Sequence, residues 1–162
     1  MRLIPFLLLA SVLFAGSPVR TQEKSAVMSG FTPMSRFDPA RDATGDIKDA
    51  LREAQVQGKR VLIDVGGEWC IWCRRLDTLF QQNRELNDYR EQNFVTVKVN
   101  WSPENKNEAI LSQYPKVAGY PHLFVLDNDG KLLHSQDTGK LESGKHHDPE
   151  KVMAFLKLWA PR

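Results

Sequence analysis

No third cysteine accompanies the pair present in this chain of 162 residues. A four-thiolate zinc or iron–sulfur site within one chain is therefore excluded. No charge of one sign predominates either. The formal net charge is +2, and setting aside Arg2 and Arg20 leaves 20 basic residues against 20 acidic ones. Such a balance gives no electrostatic footprint for nucleic acid or for an anionic membrane surface. There is no internal repeat and no low-complexity tract. Histidine is scarce, and the adjacent pair His146-His147 sits in a Gly/Lys-rich loop without the carboxylate–histidine spacing of a zinc site. Solvated side chains are expected there, and neither a metal nor another cofactor.

What the chain does have begins at its N-terminus. Met1-Arg2 precedes an apolar stretch from Leu3 to Ala15, broken by Pro5 and Ser11, and the small residues Ala15, Gly16 and Ser17 follow. That order is the pattern of a secretory signal. It predicts a signal peptide over about 1–20, with cleavage between Ala15 and Gln22, and no stable membrane insertion afterwards. The stretch is short for a spanning helix, although an uncleaved anchor is the competing reading. Export to a bacterial periplasm places the two cysteines where disulfides persist.

Those cysteines stand three residues apart in Trp69-Cys70-Ile71-Trp72-Cys73, just after the apolar run Val61-Leu62-Ile63-Asp64-Val65. A strand delivering a CxxC pair to a helix start puts the first thiol where the helix dipole favours thiolate. The second lies one turn on, within reach of a Cys70–Cys73 disulfide. One tight pair is a poor staple for a domain of this length, which favours a working disulfide over an inert one.

Residues 21–42 read as an irregular N-terminal arm. Phe31, Met34 and Phe37 either pin it to the domain that follows, over 43–162, or leave it loose. Thr44 is the expected cap of a first helix, which carries Ile47, Ala50, Leu51 and Ala54 on one face and ends at Gly58. A strand is expected over 61–65. A second helix starts at Cys70, is interrupted at Asn83 and continues in a short piece through Tyr89. Phe94 to Val99 alternates as a second strand. Ser102-Pro103-Glu104 predicts the start of a third helix carrying Ile110, Leu111 and Tyr114. A strand over 122–126, a turn at Asp127-Asn128-Asp129-Gly130 and a returning strand over 131–135 make a hairpin. Asp148-Pro149-Glu150 opens the last helix. Strands separated by helices are expected to pair in parallel, with the hairpin adding an antiparallel edge. The class is α/β, a mixed sheet of roughly four strands with helices on both faces.

This order, with CxxC at the first strand–helix junction, resembles the thioredoxin superfamily over residues 44–160. The strand with Asp64, the Trp69-Cys70 pair, the strand Val97-Lys98-Val99-Asn100 and the loop Gly119-Tyr120-Pro121 each resemble a family feature. Trp-Cys-x-Trp-Cys-x-x-Leu looks most like small exported thioredoxin-like proteins. Ile71-Trp72 replaces the Gly-Pro of thioredoxin, and no histidine lies between the cysteines. His122 stands where thioredoxin has threonine.

The resemblance implies a thiol–disulfide oxidoreductase that reduces or isomerises protein or peptide disulfides, fed by a membrane dithiol donor. Cys70 would be the exposed nucleophile and Cys73 the resolving thiol. Asp64 would be a buried acid behind the pair, its pKa raised so that it takes the proton of Cys73. Lys98 would be its charge partner. Pro121 would be cis, with Tyr120 and His122 lining a client groove flanked by Trp69 and Trp72. The alternative is a non-catalytic module of the same fold that holds a client, or copper through two soft thiolates.

Overall fold

The computed structural model describes residues 31–162. The signal peptide expected over 1–20 and residues 21–30 of the arm lie outside the described residues. The elements are α1 (Ala43–Gln57), β1 (Arg60–Gly66), α2 (Ile71–Gln82), α3 (Arg84–Asn93), β2 (Phe94–Asn100), α4 (Glu108–Leu111), β3 (His122–Leu126), β4 (Leu132–Asp137), β5 (Glu142–Ser143), β6 (His146–His147) and α5 (Pro149–Trp159). A single 3-10 turn covers Thr138–Leu141.

Four strands form one sheet in the order β2-β1-β3-β4. Alternation along β1 divides the core. Val61, Ile63 and Val65 face α1 with Val95, Val97, Val99 and Phe124. Leu62 faces α2, α3 and α5 with Leu76, Leu86, Leu123, Val125 and Leu156. By the same period of two, Asp64 and Lys98 fall on the α2 side of the sheet. They are partners in the parallel β1–β2 ladder.

Two expectations about connections need correction. β1 and β2 are parallel, but β3 is antiparallel to β1. The reason is where the linker from β2 ends: Asn100 leaves beside Gly66, and His122 enters beside Val65. A connection that returns at the end it left reverses the strand. The third helix does not start at Ser102. There the Ser102 Oγ accepts from Asn100 Nδ2 at 3.0 Å, and Asn100 Nδ2 and Asn107 Nδ2 donate to the carbonyls of Asn105 and Asn100. Side chains that satisfy a loop's backbone this way compete with helix formation, and α4 is left with four residues.

Smaller differences have local causes. Asp42, not Thr44, caps α1, its carboxylate accepting from the Thr44 N–H at 3.0 Å. Asn83 ends α2 and also caps α3 through the Leu86 N–H, so the chain restarts a helix that runs on to Asn93. The β5–β6 hairpin, turning at Gly144 with φ +62°, lies in a stretch that periodicity leaves blank.

Candidate active site

Gly66 ends β1, and the close approach behind it explains the residue. A Cβ there would sit 2.5 Å from Cys73 Sγ and 3.1 Å from Phe37 Cζ. The chain then turns so that Cys70 caps α2, its Sγ accepting the Cys73 N–H at 3.0 Å. Cys70 and Cys73 are joined in a disulfide with Cα atoms 5.2 Å apart, an ordinary separation for such a bridge. In the reduced protein the same N–H and the helix N-terminus favour Cys70 as thiolate.

Cys70 is not exposed as the sequence suggests. It is 4% accessible, and Cys73 is 1%. Phe37 from the arm covers both, with Trp72 and Tyr120 completing the cover. The arm is therefore pinned. Glu68 Oε1 accepts the Phe37 N–H at 2.8 Å, and Asn105 Nδ2 donates to the Pro39 carbonyl at 2.8 Å.

Behind the disulfide lies a charge cluster. Lys98 Nζ stands 3.1 Å from Asp64 Oδ2 and 2.6 Å from Asp77 Oδ1, with its ammonium 4.1 Å from the centroid of the Phe37 ring. Asp64 and Lys98 are both buried. Burial pulls the Lys98 ammonium down, but the two carboxylates outweigh it and hold it above its ordinary range. Asp77 is raised, by burial first and then by the Asp64 charge, against the pull of Lys98. The two directions agree once the stoichiometry is counted: Lys98 has two counter-ions, and Asp77 has a share of one. Asp77 was missed in the sequence, although it follows Cys73 by four residues on the buried face of α2 with Leu76 and Phe80.

The outer rim is aromatic. Trp69, 52% exposed, donates from Nε1 to the Trp101 carbonyl at 2.8 Å and meets the Trp101 and Tyr120 rings edge-on. Trp101 stacks on Tyr120 at 4.9 Å. Ile71 is also exposed. The Tyr120–Pro121 peptide is cis, and the Pro121 carbonyl accepts from Thr138 Oγ1 at 2.5 Å. His122 is buried, its Nε2 paired with Ser135 Oγ at 2.8 Å and its ring against Phe124. It faces the α1 side of the sheet, away from Asp64. Trp72 carries the Arg75 guanidinium 4.4 Å over its ring, and its edge contact is His147 at 5.5 Å. His147 is not solvated, being 1% accessible; His146 beside it is exposed. No group of three His, Cys, Asp or Glu side chains placed to hold a metal occurs among the described residues. Nor is any helix among them long and apolar enough to cross a membrane.

A four-stranded mixed sheet with a CxxC disulfide capping the helix after its central strand defines a thioredoxin fold with a dithiol site. The chain belongs to the Thioredoxin-like family, whose model matches residues 42–128. It is 26% identical over 144 residues to the thiol:disulfide interchange protein DsbD of Pseudomonas fluorescens, covering 88% of this chain and 23% of that protein. It is 29% identical over 94 residues to the disulfide bond reductase DsbH of Chlamydia pneumoniae, covering 52% of this chain and 56% of that one. The chain thus spans only part of the length of these relatives. Among solved structures, a disulphide isomerase from Xylella fastidiosa Temecula1 superposes with a TM-score of 0.66 at 25% identity, over 75% of this chain and 94% of that one.

Proposed function

We propose that this protein is an exported thiol–disulfide oxidoreductase that reduces or isomerises protein disulfides through Cys70 and Cys73. One observation carries the reading: the Cys70 sulfur caps α2, accepts the Cys73 N–H and is already bonded to Cys73. As thiolate, Cys70 attacks a client disulfide and forms a mixed disulfide. Cys73 then loses its proton to Asp64, attacks Cys70 and releases the reduced client. Lys98 holds Asp64 in place. Tyr120 and Pro121 offer extended backbone to the client, with His122 behind them, and Trp69 and Trp72 give it apolar contact. The named relatives, which are interchange and reductase proteins, support the same chemistry. The apolar N-terminal stretch supports a periplasmic location, where a membrane dithiol donor would re-reduce the pair.

Insulin reduction with a recycled dithiol tests the activity. Cys70→Ser abolishes it, and Cys73→Ser traps clients on Cys70. If Cys73 alkylates at neutral pH while Cys70 stays protected, the roles are reversed. No histidine between the cysteines stabilises a thiolate, so the pair should be reducing, with a potential below about −200 mV. A value near −120 mV would make the protein a disulfide donor instead.

A further inference from the structure

Trp101, in the loop after β2, has no place in the exchange described above, yet its backbone is fixed on both sides. Its N–H donates to the Gly66 carbonyl at 2.6 Å, and its carbonyl accepts the Trp69 indole N–H. Trp69 can lie there because residue 67 is glycine: a Cβ would stand 2.3 Å from Trp69 Nε1 and 3.0 Å from the Trp101 carbonyl oxygen. Further along the loop, the Ser102 N–H donates to the Asn105 carbonyl at 3.0 Å, and Asn105 in turn holds the arm at Pro39. Between loop and arm this leaves an open cleft of about 590 Å³. The arm lends it Phe37 and Pro39, the loop Trp101, Pro103 and Glu104, and the turn before α2 Glu68 and Trp69. A concave, aromatic-lined space of that size, with walls held in place beforehand, suits a side chain of a bound molecule.

The cleft continues the thiol site. Phe37 packs on Cys70 and Cys73, and Trp69 precedes Cys70 in the chain and meets Tyr120 edge-on. A client that brings its disulfide to Cys70 in extended form carries the side chain two residues from its own cysteine about 7 Å along. The charge of the cleft has one sign. Glu68 and Glu104 are both exposed, and no lysine or arginine of the described residues lines the space. The bases nearest in sequence are engaged elsewhere: Arg74 donates to the Glu68 carbonyl at 2.5 Å, and Lys106 pairs with Glu108 at 3.8 Å. The Ser102 hydroxyl holds the Glu104 carboxyl below its ordinary range.

We propose that this cleft is a specificity subsite for the client: it takes an aromatic or branched apolar side chain close to the client's cysteine, and its two carboxylates favour a basic neighbour over an acidic one. The inference rests on the oxidoreductase reading and names the client chemistry that the reading leaves open. Trp69 and Trp101 supply apolar contact, and the Trp69 and Trp101 rings give a client guanidinium or ammonium a face to lie on beside the carboxylates. Like charges brought together by an acidic client would repel.

The test is the single-turnover rate at which the reduced protein reduces symmetrical disulfides of short, end-blocked peptides. The peptides differ two residues from the cysteine, Phe against Ala, and at the next position, Arg against Glu. Phe should exceed Ala about tenfold in second-order rate constant, part of what full burial of the ring is worth. Arg should exceed Glu about fivefold at low salt, and that ratio should shrink in about 1 M salt. Trp101→Leu should bring the Phe/Ala ratio below about threefold. Glu104→Lys should bring the Arg/Glu ratio to about one or below, and at an exposed position it carries the test if the tryptophan variant does not fold. A merely loosened fold would slow all the peptides alike and leave both ratios unchanged. Equal rates for the Phe and Ala peptides overturn the proposal, as does a folded variant that keeps its wild-type ratio. Rates per molecule that fall as protein concentration rises also overturn it, since they assign the cleft to a second copy. Reduction of insulin and of hydroxyethyl disulfide by the wild type is scored separately: failure on both sinks the oxidoreductase reading, whereas reduction of the peptides without preference sinks only the subsite.

Discussion

Replacing Lys98 with methionine removes the cation that lies between two carboxylates and keeps most of the side-chain volume. The ammonium is within 3.1 Å of Asp64 and 2.6 Å of Asp77, and its side chain is 6% exposed. Breaking a buried ion pair by deleting one partner costs about 3–5 kcal/mol, because the other charge stays buried and uncompensated. The Asp77 side chain keeps 22% of its exposure, so water relieves part of that, while the lost contact with Phe37 adds about 1 kcal/mol. A loss of about 3 kcal/mol near pH 7.5 follows. It should depend on pH. Without Lys98, Asp77 loses the charge that pulls it down and is pushed further in the direction it already takes, above its unfolded value. A raised acid contributes stability that is complete below its unfolded pKa and lost as pH rises through the folded one. The penalty should therefore shrink toward about 1 kcal/mol, the worth of the hydrogen bonds, near pH 4. Urea unfolding at several pH values measures this, with a midpoint shift of about 1.5 M at pH 7.5 for an m-value of about 2 kcal/mol/M. Adding Asp64→Asn should recover part of the loss. A penalty under about 1 kcal/mol that is flat with pH would refute the view that these three side chains form one energetic unit.

Two further outcomes follow from burial. Phe37→Ala should cost about 3 kcal/mol and speed reduction of the Cys70–Cys73 disulfide by dithiothreitol, since Phe37 packs on both cysteines; an unchanged reduction rate would show that the ring does not control access. His122 and His147 are both lowered, chiefly by burial. A lowered histidine gives stability that is full above its unfolded pKa and lost as pH falls through the folded one, so thermal midpoints should drop on acidification below about pH 6.5, and His147→Leu should flatten that drop.

The parts of this fold that repeat with a period were visible in the chain. The apolar run Val61–Val65, the alternation in Phe94–Val99, the i, i+3, i+4 spacing in α1 and the Asp148-Pro149 cap of α5 located their elements within a residue or two. The Asp64–Lys98 pair was legible because both lie in strands whose neighbours are apolar. What stayed hidden depends on distant chain segments meeting. Phe37 carries no local signal that it will cover a disulfide more than thirty residues away. His147 looks solvated in Gly-Lys-His-His, and only the docking of β6 on α2 buries it. The asparagine-rich loop after β2 reads as helix because Ser102-Pro103-Glu104 has the right cap chemistry; the competing bonds from Asn100 and Asn107 are tertiary in effect.

The attachment of the arm has a mechanical consequence. Phe37 is held at the disulfide by burial, by one bond to Glu68 and, two residues on, by the Asn105 bond to Pro39. Upstream of it, Phe31 and Met34 pack against the apolar core on the α1 side of the sheet. Tension applied upstream of the arm would first strip Phe31 and Met34 from the core and would next be borne by the residue that covers Cys70. Pulling and uncovering would then be one motion, and the rate at which the thiols meet a client would become a function of force.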